Sequence, residues 1–423
     1  MIRRVNPAPI RGELTPPPSK SAAHRTLIAA ALAGGGRVEG ILPSADMQAT
    51  LGVLGALGLE YRLEGETATI VERPLQTLPA EPVVNCRESG STLRFCIPIF
   101  AALGIPAVFT GEGRLPERPL GVYADCLPRH GVSLETADGL PLRLEGRLEG
   151  GLYELPGDVS SQFVTGLLFA LPLCAADSDI RLTSPLESAG YVEMTLRTLG
   201  EAGIRVDRTA TGWHIPGGQR YRRRDYRVES DWSQAAFLLA AGALGGEVTL
   251  TGLNPASAQG DREALELFRR FGAAVTLRAD GAIVCRKAPL HGTEIDASQI
   301  PDLVPVLAVT AAAAEGETRI FNAGRLRLKE SDRLAAVTHC LRLLGAEVEE
   351  LPEELRIRGG RRLRGGSVPG FNDHRIVMSM AVAALFSDGP IEIADAEAVA
   401  KSWPAFFEDY ARIGGVTDGV EYR

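Results

Sequence analysis

One pattern recurs six times along this 423-residue chain, and it limits the fold more than any single motif does. A polar signal opens a helical stretch rich in small residues, and a strand-like run follows. The helical stretches are 25–34, 94–104, 162–175, 235–245, 303–316 and 375–388, spaced about 70 residues apart. Between them lie second helices that meet a glycine turn before a strand, as in A-L-E-L-F-R-R-F-G-A-A-V-T-L and T-H-C-L-R-L-L-G-A-E-V-E-E-L. Glycine fits the left-handed position that stops a helix. Each repeat therefore reads as an α/β unit, strands alternating with two helices. A chain this long exceeds one compact core, so the six units divide as three per domain. The other arrangement for such repeats is an open α/β solenoid, whose repeats are usually shorter and whose helices are one-faced.

Two segments are candidate crossings between domains: the proline-rich L-T-P-P-P-S-K at 14–20 and the charged Y-R-R-R-D-Y-R-V-E-S-D at 221–231. Two crossings make one domain discontinuous. A net charge of -8 argues against the basic surface of a nucleic-acid binder. It also makes any cluster of cations a local focus in a negative field. The six cysteines (Cys86, Cys96, Cys126, Cys174, Cys285, Cys340) form no C-x-x-C pair, which reads as a reduced compartment. The sequence holds no metal-ligand spacing, no Walker A motif and no G-x-G-x-x-G after a strand, so neither metal nor cofactor is expected. The N-terminus lacks the apolar core of a signal peptide. The longest apolar run, 303–314, contains Pro305 and is too short to cross a bilayer. A soluble cytoplasmic protein that binds neither nucleic acid nor membrane is the expectation.

The densest charge lies at 326–333, L-R-L-K-E-S-D-R, with three cations and two carboxylates in eight residues. As the opening of a helix it puts Lys329 and Arg333 on one face, with Glu330 three residues from Arg333. Two readings fit: a solvated face laced with ion pairs, or a site where arginine grips an anion and a carboxylate moves a proton. The caps of the repeats weigh on that choice. Ahead of the helical stretches stand S-K-S-A-A-H-R (19–25), E-S-G-S-T-L-R (88–94), S-S-Q-F (160–163), S-D-W-S-Q (230–234), P-D-L (301–303) and N-D-H-R (372–375). Ser, Asp and Asn there are ordinary N-caps. Capping does not account for Lys20, Arg25, Arg94, His374 and Arg375, because a cation is unfavourable at a helix N-terminus unless an anion sits there too. That conflict, repeated at several caps, points to an anionic substrate. Arg118, in a loop stiffened by Pro116 and Pro119, and Lys401 would each read alone as surface residues. His24 and His339 read as structural or surface.

These segments, in this order, resemble the family of 5-enolpyruvylshikimate-3-phosphate synthases, the 3-phosphoshikimate 1-carboxyvinyltransferases. The resemblance spans essentially the whole chain. It is carried by P-S-K-S-A-A-H-R, E-S-G-S-T-L-R, L-P-E-R-P-L, D-V-S-S-Q-F, I-P-D-L-V-P, R-L-K-E-S-D-R, N-D-H-R and A-K-S-W-P. It implies the α/β two-domain enolpyruvyl transferase fold, each domain holding three βαβαββ units whose helix N-termini face the interdomain cleft. On that analogy residues 1–17 and 229–423 form one discontinuous domain and 18–228 the second. It also implies a monomeric transferase of chorismate and aromatic amino-acid biosynthesis. Such an enzyme moves the enolpyruvyl group of phosphoenolpyruvate to the 5-hydroxyl of shikimate 3-phosphate. Carried over by motif, shikimate 3-phosphate meets Lys20, Ser21, Arg25, Ser160, Ser161, Gln162, Ser188, Tyr191, Asp302 and Lys329. Phosphoenolpyruvate meets Lys20, Gly90, Arg118, Gln162, Arg333, Arg375 and Lys401. The catalytic roles fall to Lys20 and Asp302 at the hydroxyl proton, and to Glu330 with His374 at the C3 proton. Beside Gly90 the chain departs from the family's common pattern, with Ser91 in place of threonine and Phe95 in place of proline. Those neighbours bear on the inhibitor glyphosate, which competes with phosphoenolpyruvate there. Arg325 stands where some members place an asparagine on the substrate phosphate.

Two other readings were open. The UDP-N-acetylglucosamine enolpyruvyl transferases share the fold but use a loop cysteine, and the matching loop 113–118 has none. A non-catalytic relative that only binds phosphorylated metabolites has no reason to keep Lys20, Asp302, Glu330 and His374.

Overall fold

Among the described residues the strands of the computed structural model form six four-stranded sheets, and all six follow one pairing scheme. The structure describes residues 1–71, 81–136, 139–223 and 225–420; Arg224, in the charged segment 221–231, lies outside the described residues. The scheme is plainest in the repeat that starts at Val83–Asn85. Its first helix, Gly90–Leu103, is the crossover that lets Ala107–Thr110 pair parallel to the opening strand, Val84 opposite Phe109. The second helix, Gly121–Cys126 with a 3-10 extension at Leu127–His130, leads to the strands Val132–Glu135 and Leu142–Gly146. Leu142–Gly146 lies antiparallel beside Ala107–Thr110, and Val132–Glu135 takes the edge.

The repeats beginning at Leu152–Leu155 and Glu294–Asp296 use contiguous chain in the same way. Each of the other three completes its sheet with a strand distant in sequence. Tyr226–Arg227 pairs parallel with Gly36–Glu39, and Ile10–Leu14 pairs parallel with Gly246–Leu250. Ile2–Asn6 lies antiparallel between Ile391–Ile393 and Val416–Val420. Every lent strand fills the place that the contiguous repeats fill with their own. The chain divides into two compact units, one of Met1–Pro17 with Glu229–Arg423 and one of Pro18–Val228, and three sheets fall in each.

In the first of these units the helices Trp232–Gly245, Val304–Ala313 and His374–Ala383 pack on one another. They are buried from Trp232 through Leu244, Val304 through Ala312, and His374 through Ala383. A helix that is apolar all round belongs in a core, and alanine lets neighbours come close without losing helix propensity. In the Pro18–Val228 unit, Gly90–Leu103 and Ser161–Ala170 approach so closely that a Cβ at Gly166 would overlap the Arg94 carbonyl oxygen and the Tyr123 hydroxyl. The second helices bury one face only; Ala189–Glu201 turns in Val192, Met194, Thr195, Thr198 and Leu199.

This difference sets opposite outcomes for two glycine-to-alanine changes. Gly166→Ala overpacks a helix contact and should lower the unfolding free energy by about 1–3 kcal/mol. Gly52 is exposed within the helix Ala45–Ala56, with no atom near a Cβ, so Gly52→Ala should raise it by about 0.5–1 kcal/mol. Urea unfolding followed by circular dichroism measures both.

Candidate active site

The polar residues singled out by the repeats gather into two groups, one in each unit. In the Pro18–Val228 unit the helix Lys20–Leu32 begins at Lys20, and the Ser19 hydroxyl accepts the Ala22 N–H at 3.4 Å. A cation at this end opposes the helix dipole. Asp46 offsets it: its carboxylate lies 2.7 Å from Lys20 Nζ and stands in the first turn of Ala45–Ala56. One turn past Ser21, Arg25 is buried. Its Nη1 donates to the Ser21 carbonyl at 2.6 Å, Nη2 to the Tyr191 carbonyl at 2.9 Å, and Nε to Thr195 Oγ1 at 2.9 Å. The rings of Phe95 and Tyr191 lie 5.2 and 6.0 Å from the guanidinium carbon. Burial brings the Arg25 pKa down to about 10, so it stays charged at neutral pH.

Gly90 is the first residue of its helix, and its missing side chain makes room for Arg118. A Cβ there would stand 2.5 Å from Arg118 Nη1. Arg94, one turn on, donates from Nη1 to Gln162 Oε1 at 2.7 Å and from Nη2 to the Pro119 carbonyl at 3.1 Å. A guanidinium only donates, so the amide oxygen of Gln162 must face it. The amide nitrogen therefore points the other way and donates to Ser91 Oγ at 2.9 Å. Ser160 caps the helix Ser161–Ala170, accepting the Gln162 N–H at 3.3 Å. Ser188 sits buried at the start of Ala189–Glu201 with φ +54°, a left-handed conformation uncommon outside glycine.

The second group centres on Arg333, 1 % exposed. Its Nε donates to Asp373 Oδ2 at 2.8 Å, Nη1 to Asp302 Oδ1 at 2.9 Å and Nη2 to Glu330 Oε2 at 2.7 Å. Burial opposes its charge, but Asp373, Glu330 and Asp302 outweigh that, and its pKa is raised. Arg375 Nη2 reaches the other oxygen of Asp302 at 3.1 Å and Ser233 Oγ at 2.9 Å. Lys329 Nζ lies 3.4 Å from Asp302 Oδ1; burial lowers its pKa, with Asp302 opposing. Three cations thus meet three carboxylates. The expected helical opening at 326–333 is corrected here. Residues Gly324–Leu328 form a 3-10 turn, Lys329 is extended, and the helix starts only at Arg333 behind the cap Asp332. Lys329 and Arg333 therefore meet through Asp302 and not along one helix face. Ser331, between the 3-10 turn and the helix, donates to Asp373 Oδ2 at 2.9 Å.

His374 is buried beside Asp373, Nδ1 to Oδ1 3.9 Å. Lys401 ends the 3-10 stretch Ala396–Lys401 and donates to the Asn372 carbonyl at 2.6 Å. Arg325 Nη2 donates to the Ser298 carbonyl at 2.6 Å, so it holds a loop. The sequence reading missed Asp46, Asp373, Ser331, Ser233 and Thr195 as partners. Asp46 and Asp373 stood at helix starts in S-A-D and N-D-H-R, where capping alone explains an aspartate. Among the described residues no three His, Cys, Asp or Glu side chains group to hold a metal ion.

Residues 5–410 match the sequence profile of the EPSP synthase (3-phosphoshikimate 1-carboxyvinyltransferase) family. The chain is 43% identical over 417 residues to the 3-phosphoshikimate 1-carboxyvinyltransferase of Clostridium kluyveri, covering 98% of this chain and 97% of that one. It is 42% identical to the enzyme of the same name from Clostridium acetobutylicum, covering 97% of each. Its fold superposes on EPSP synthase from Acinetobacter baumannii with a TM-score of 0.81 at 28% identity, over 99% of this chain and 100% of that one. The enolpyruvyl transferase NikO of Streptomyces tendae shares the fold, with a TM-score of 0.77 at 20% identity, over 99% and 98% of the two chains.

Asp373 supplies a test of the charge balance. Burial pushes its carboxyl up, but Arg333 pulls it further down, below the ordinary aspartate value. A folded pKa below the unfolded one stabilises above about pH 4, and that stabilisation is lost as pH falls through the folded value. Asp373→Asn keeps the cap on the Arg375 N–H and removes the charge. It should cost about 3–5 kcal/mol at pH 7, and the gap to the wild type should narrow below about pH 4. Urea midpoints at pH 7 and pH 3 measure this; a gap constant with pH would overturn the electrostatic account.

Proposed function

The chain belongs to the EPSP synthase family, and from that premise we propose how its two polar groups carry out the family's reaction. The enzyme transfers the enolpyruvyl group of phosphoenolpyruvate to the 5-hydroxyl of shikimate 3-phosphate and releases phosphate. One observation supports the residue assignment above all. The residues that match the family's motifs include buried cations at helix starts, cross-bonded to carboxylates and hydroxyls.

In this reading Lys20, Ser21, Arg25, Gln162, Tyr191 and Asp302 hold the carboxylate and ring of shikimate 3-phosphate. Ser160, Ser161, Ser188 and Lys329 take its phosphate. Phosphoenolpyruvate goes to Lys20, Gly90, Arg118, Gln162, Arg333, Arg375 and Lys401. Together the substrates carry about six negative charges, and two unit charges ~6 Å apart repel by roughly 3 kcal/mol at an effective dielectric near 20. A cation set of this size offsets that repulsion. Arg333 and Arg375 hold Asp302, so an incoming phosphate competes with that carboxylate for their donors. Asp302, with Lys20, then takes the hydroxyl proton as the hydroxyl oxygen bonds to C2. Glu330, with His374, supplies the proton that makes C3 a methyl group. In the second half C3 returns a proton to Glu330, the double bond re-forms, and the C2–O bond breaks with its electrons leaving on phosphate. The enzyme works in this reading as a cytoplasmic monomer without metal or cofactor. Among the described residues no helix is long and apolar enough to cross a membrane.

Phosphate release separates the readings. Purified protein should liberate phosphate from phosphoenolpyruvate with shikimate 3-phosphate as acceptor and not with UDP-N-acetylglucosamine. Lys20→Met should lose about 10²-fold or more in kcat, and near-wild-type turnover would remove Lys20 from the site. Gly90→Ala drives a Cβ against Arg118 and should raise the KM for phosphoenolpyruvate about tenfold, leaving the KM for shikimate 3-phosphate nearly unmoved. Steady-state titration of each substrate reads this difference.

A further inference from the structure

His24 has no role in the assignment above, yet it is fully buried in the helix that carries Lys20, Ser21 and Arg25. Its Nδ1 lies 2.7 Å from Thr50 Oγ1, on the second helix Ala45–Ala56. Thr50 Oγ1 lies 2.7 Å from Thr92 Oγ1, on the helix Gly90–Leu103. Thr92 Oγ1 donates to Ser89 Oγ at 2.7 Å, and Ser89, the cap of that helix, also accepts the Thr92 N–H at 3.2 Å. All four side chains are buried.

Proton counting gives this chain a direction. Each hydroxyl has one proton to donate. Thr92 gives its proton to Ser89, so its oxygen must receive one from Thr50. Thr50 has then spent its own proton, so its oxygen must receive one from His24 Nδ1. Nε2 is left as the bare nitrogen. Among the described residues Nε2 has no hydrogen-bond partner, and an N–H there would be a buried donor without an acceptor. Burial, then Lys20 and Arg25, hold the imidazole pKa well below its ordinary value, which keeps the ring neutral. Phe95 packs edge-on against the ring, 6.3 Å between centroids.

We infer that His24 is a positioning residue whose Nδ1–H starts a one-way hydrogen-bond chain through Thr50 and Thr92 to Ser89. The chain ties the helix bearing Lys20, Ser21 and Arg25 to the N-terminal turn bearing Gly90 and Ser91. The histidine is the source of direction because it alone donates without needing to accept. With that donor removed the threonine protons can reverse, and the Ser89 cap loses one of its two donors. The kinetic consequence rests on the assignment of phosphoenolpyruvate to both Lys20 and Gly90; the chain itself does not.

The first measurement needs no variant. Nitrogen-15 NMR of histidine-labelled protein should find His24 neutral and protonated on Nδ1 between about pH 6 and 8, well above where a buried imidazole of lowered pKa would charge. A neutral Nε2–H tautomer, which leaves Nδ1 bare, would overturn the chain. In kinetics, His24→Leu keeps bulk without a donor and should raise the KM for phosphoenolpyruvate about tenfold, as loss of a buried hydrogen bond does. The KM for shikimate 3-phosphate should move by no more than about threefold in the same variant. His24→Asn places an amide near the Nδ1 position and should restore most of the loss, which a mere cavity effect would not. An unchanged KM in His24→Leu, or no rescue by asparagine, overturns the positioning role. Should His24→Leu fail to fold, Thr92→Val, which cuts the same chain at its middle, takes its place with the same expected KM shift. If Lys20→Met leaves the KM for phosphoenolpyruvate unmoved, the substrate assignment falls, and the tautomer alone decides the chain.

Discussion

Buried positive charge is the constraint to which both polar groups answer. Removing a guanidinium from water costs several kcal/mol unless its donors are met. The two units meet that cost differently. Arg333 is met by carboxylates on three segments, so its charge is neutralised and held tightly. Arg25 is met by a hydroxyl, two backbone carbonyls and two ring faces. These satisfy its donors and leave its net charge uncompensated, which is why its pKa falls while that of Arg333 rises. Arg25 suits a carboxylate that adds to its existing bonds. Arg333 and Arg375 suit a more highly charged group that can displace Asp302.

The repeat supplies the places for these charges. Each first helix leads into the strand that pairs parallel with the opening strand of its sheet, and its start offers unpaired N–H groups and the positive end of a dipole. The small-residue helices behind these starts are buried over almost their whole length. A buried helix cannot shift without disturbing its neighbours, so side chains in its first turn are held with it. Lys20, Gly90, Ser161 and Arg375 all stand in such first turns. Between two of these helices, the run from His24 to Ser89 adds a directional tie of the same kind, built from hydroxyls rather than charge.

Much of this could be read from local spacing. The α/β repeat showed in the recurrence of helical stretches and glycine stops, and most of the cations that count were visible because they contradict their own helix dipole. The misreading at 326–333 is instructive. Lys329 and Arg333 have the four-residue spacing of a helix face, but Asp332 caps the helix by accepting the Ala335 N–H, so the helix begins at Arg333 and leaves Lys329 outside it. A cap signal inside a charged run outweighed the spacing. The partners were harder. Asp46, Asp373 and Ser233 carried only the signature of a helix start, and nothing in their neighbourhoods said which cation each would serve.

What the sequence by itself determined was local: where helices begin and end, which faces are apolar, and which residues carry charge at a helix start. Those follow from interactions among residues within a few positions of one another. Tertiary structure decided which strand completes which sheet. Ile2–Asn6 joins Val416–Val420, and Tyr226–Arg227 joins Gly36–Glu39. It also decided that Asp302 sits between Arg333 and Arg375, and that hydrogen bonds link His24 through Thr50 and Thr92 to the cap at Ser89. Backbone pairing is nearly blind to side-chain identity, and a carboxylate accepts from any cation within reach. Such pairings are therefore fixed only when the packing of the whole unit brings one partner near and excludes the rest.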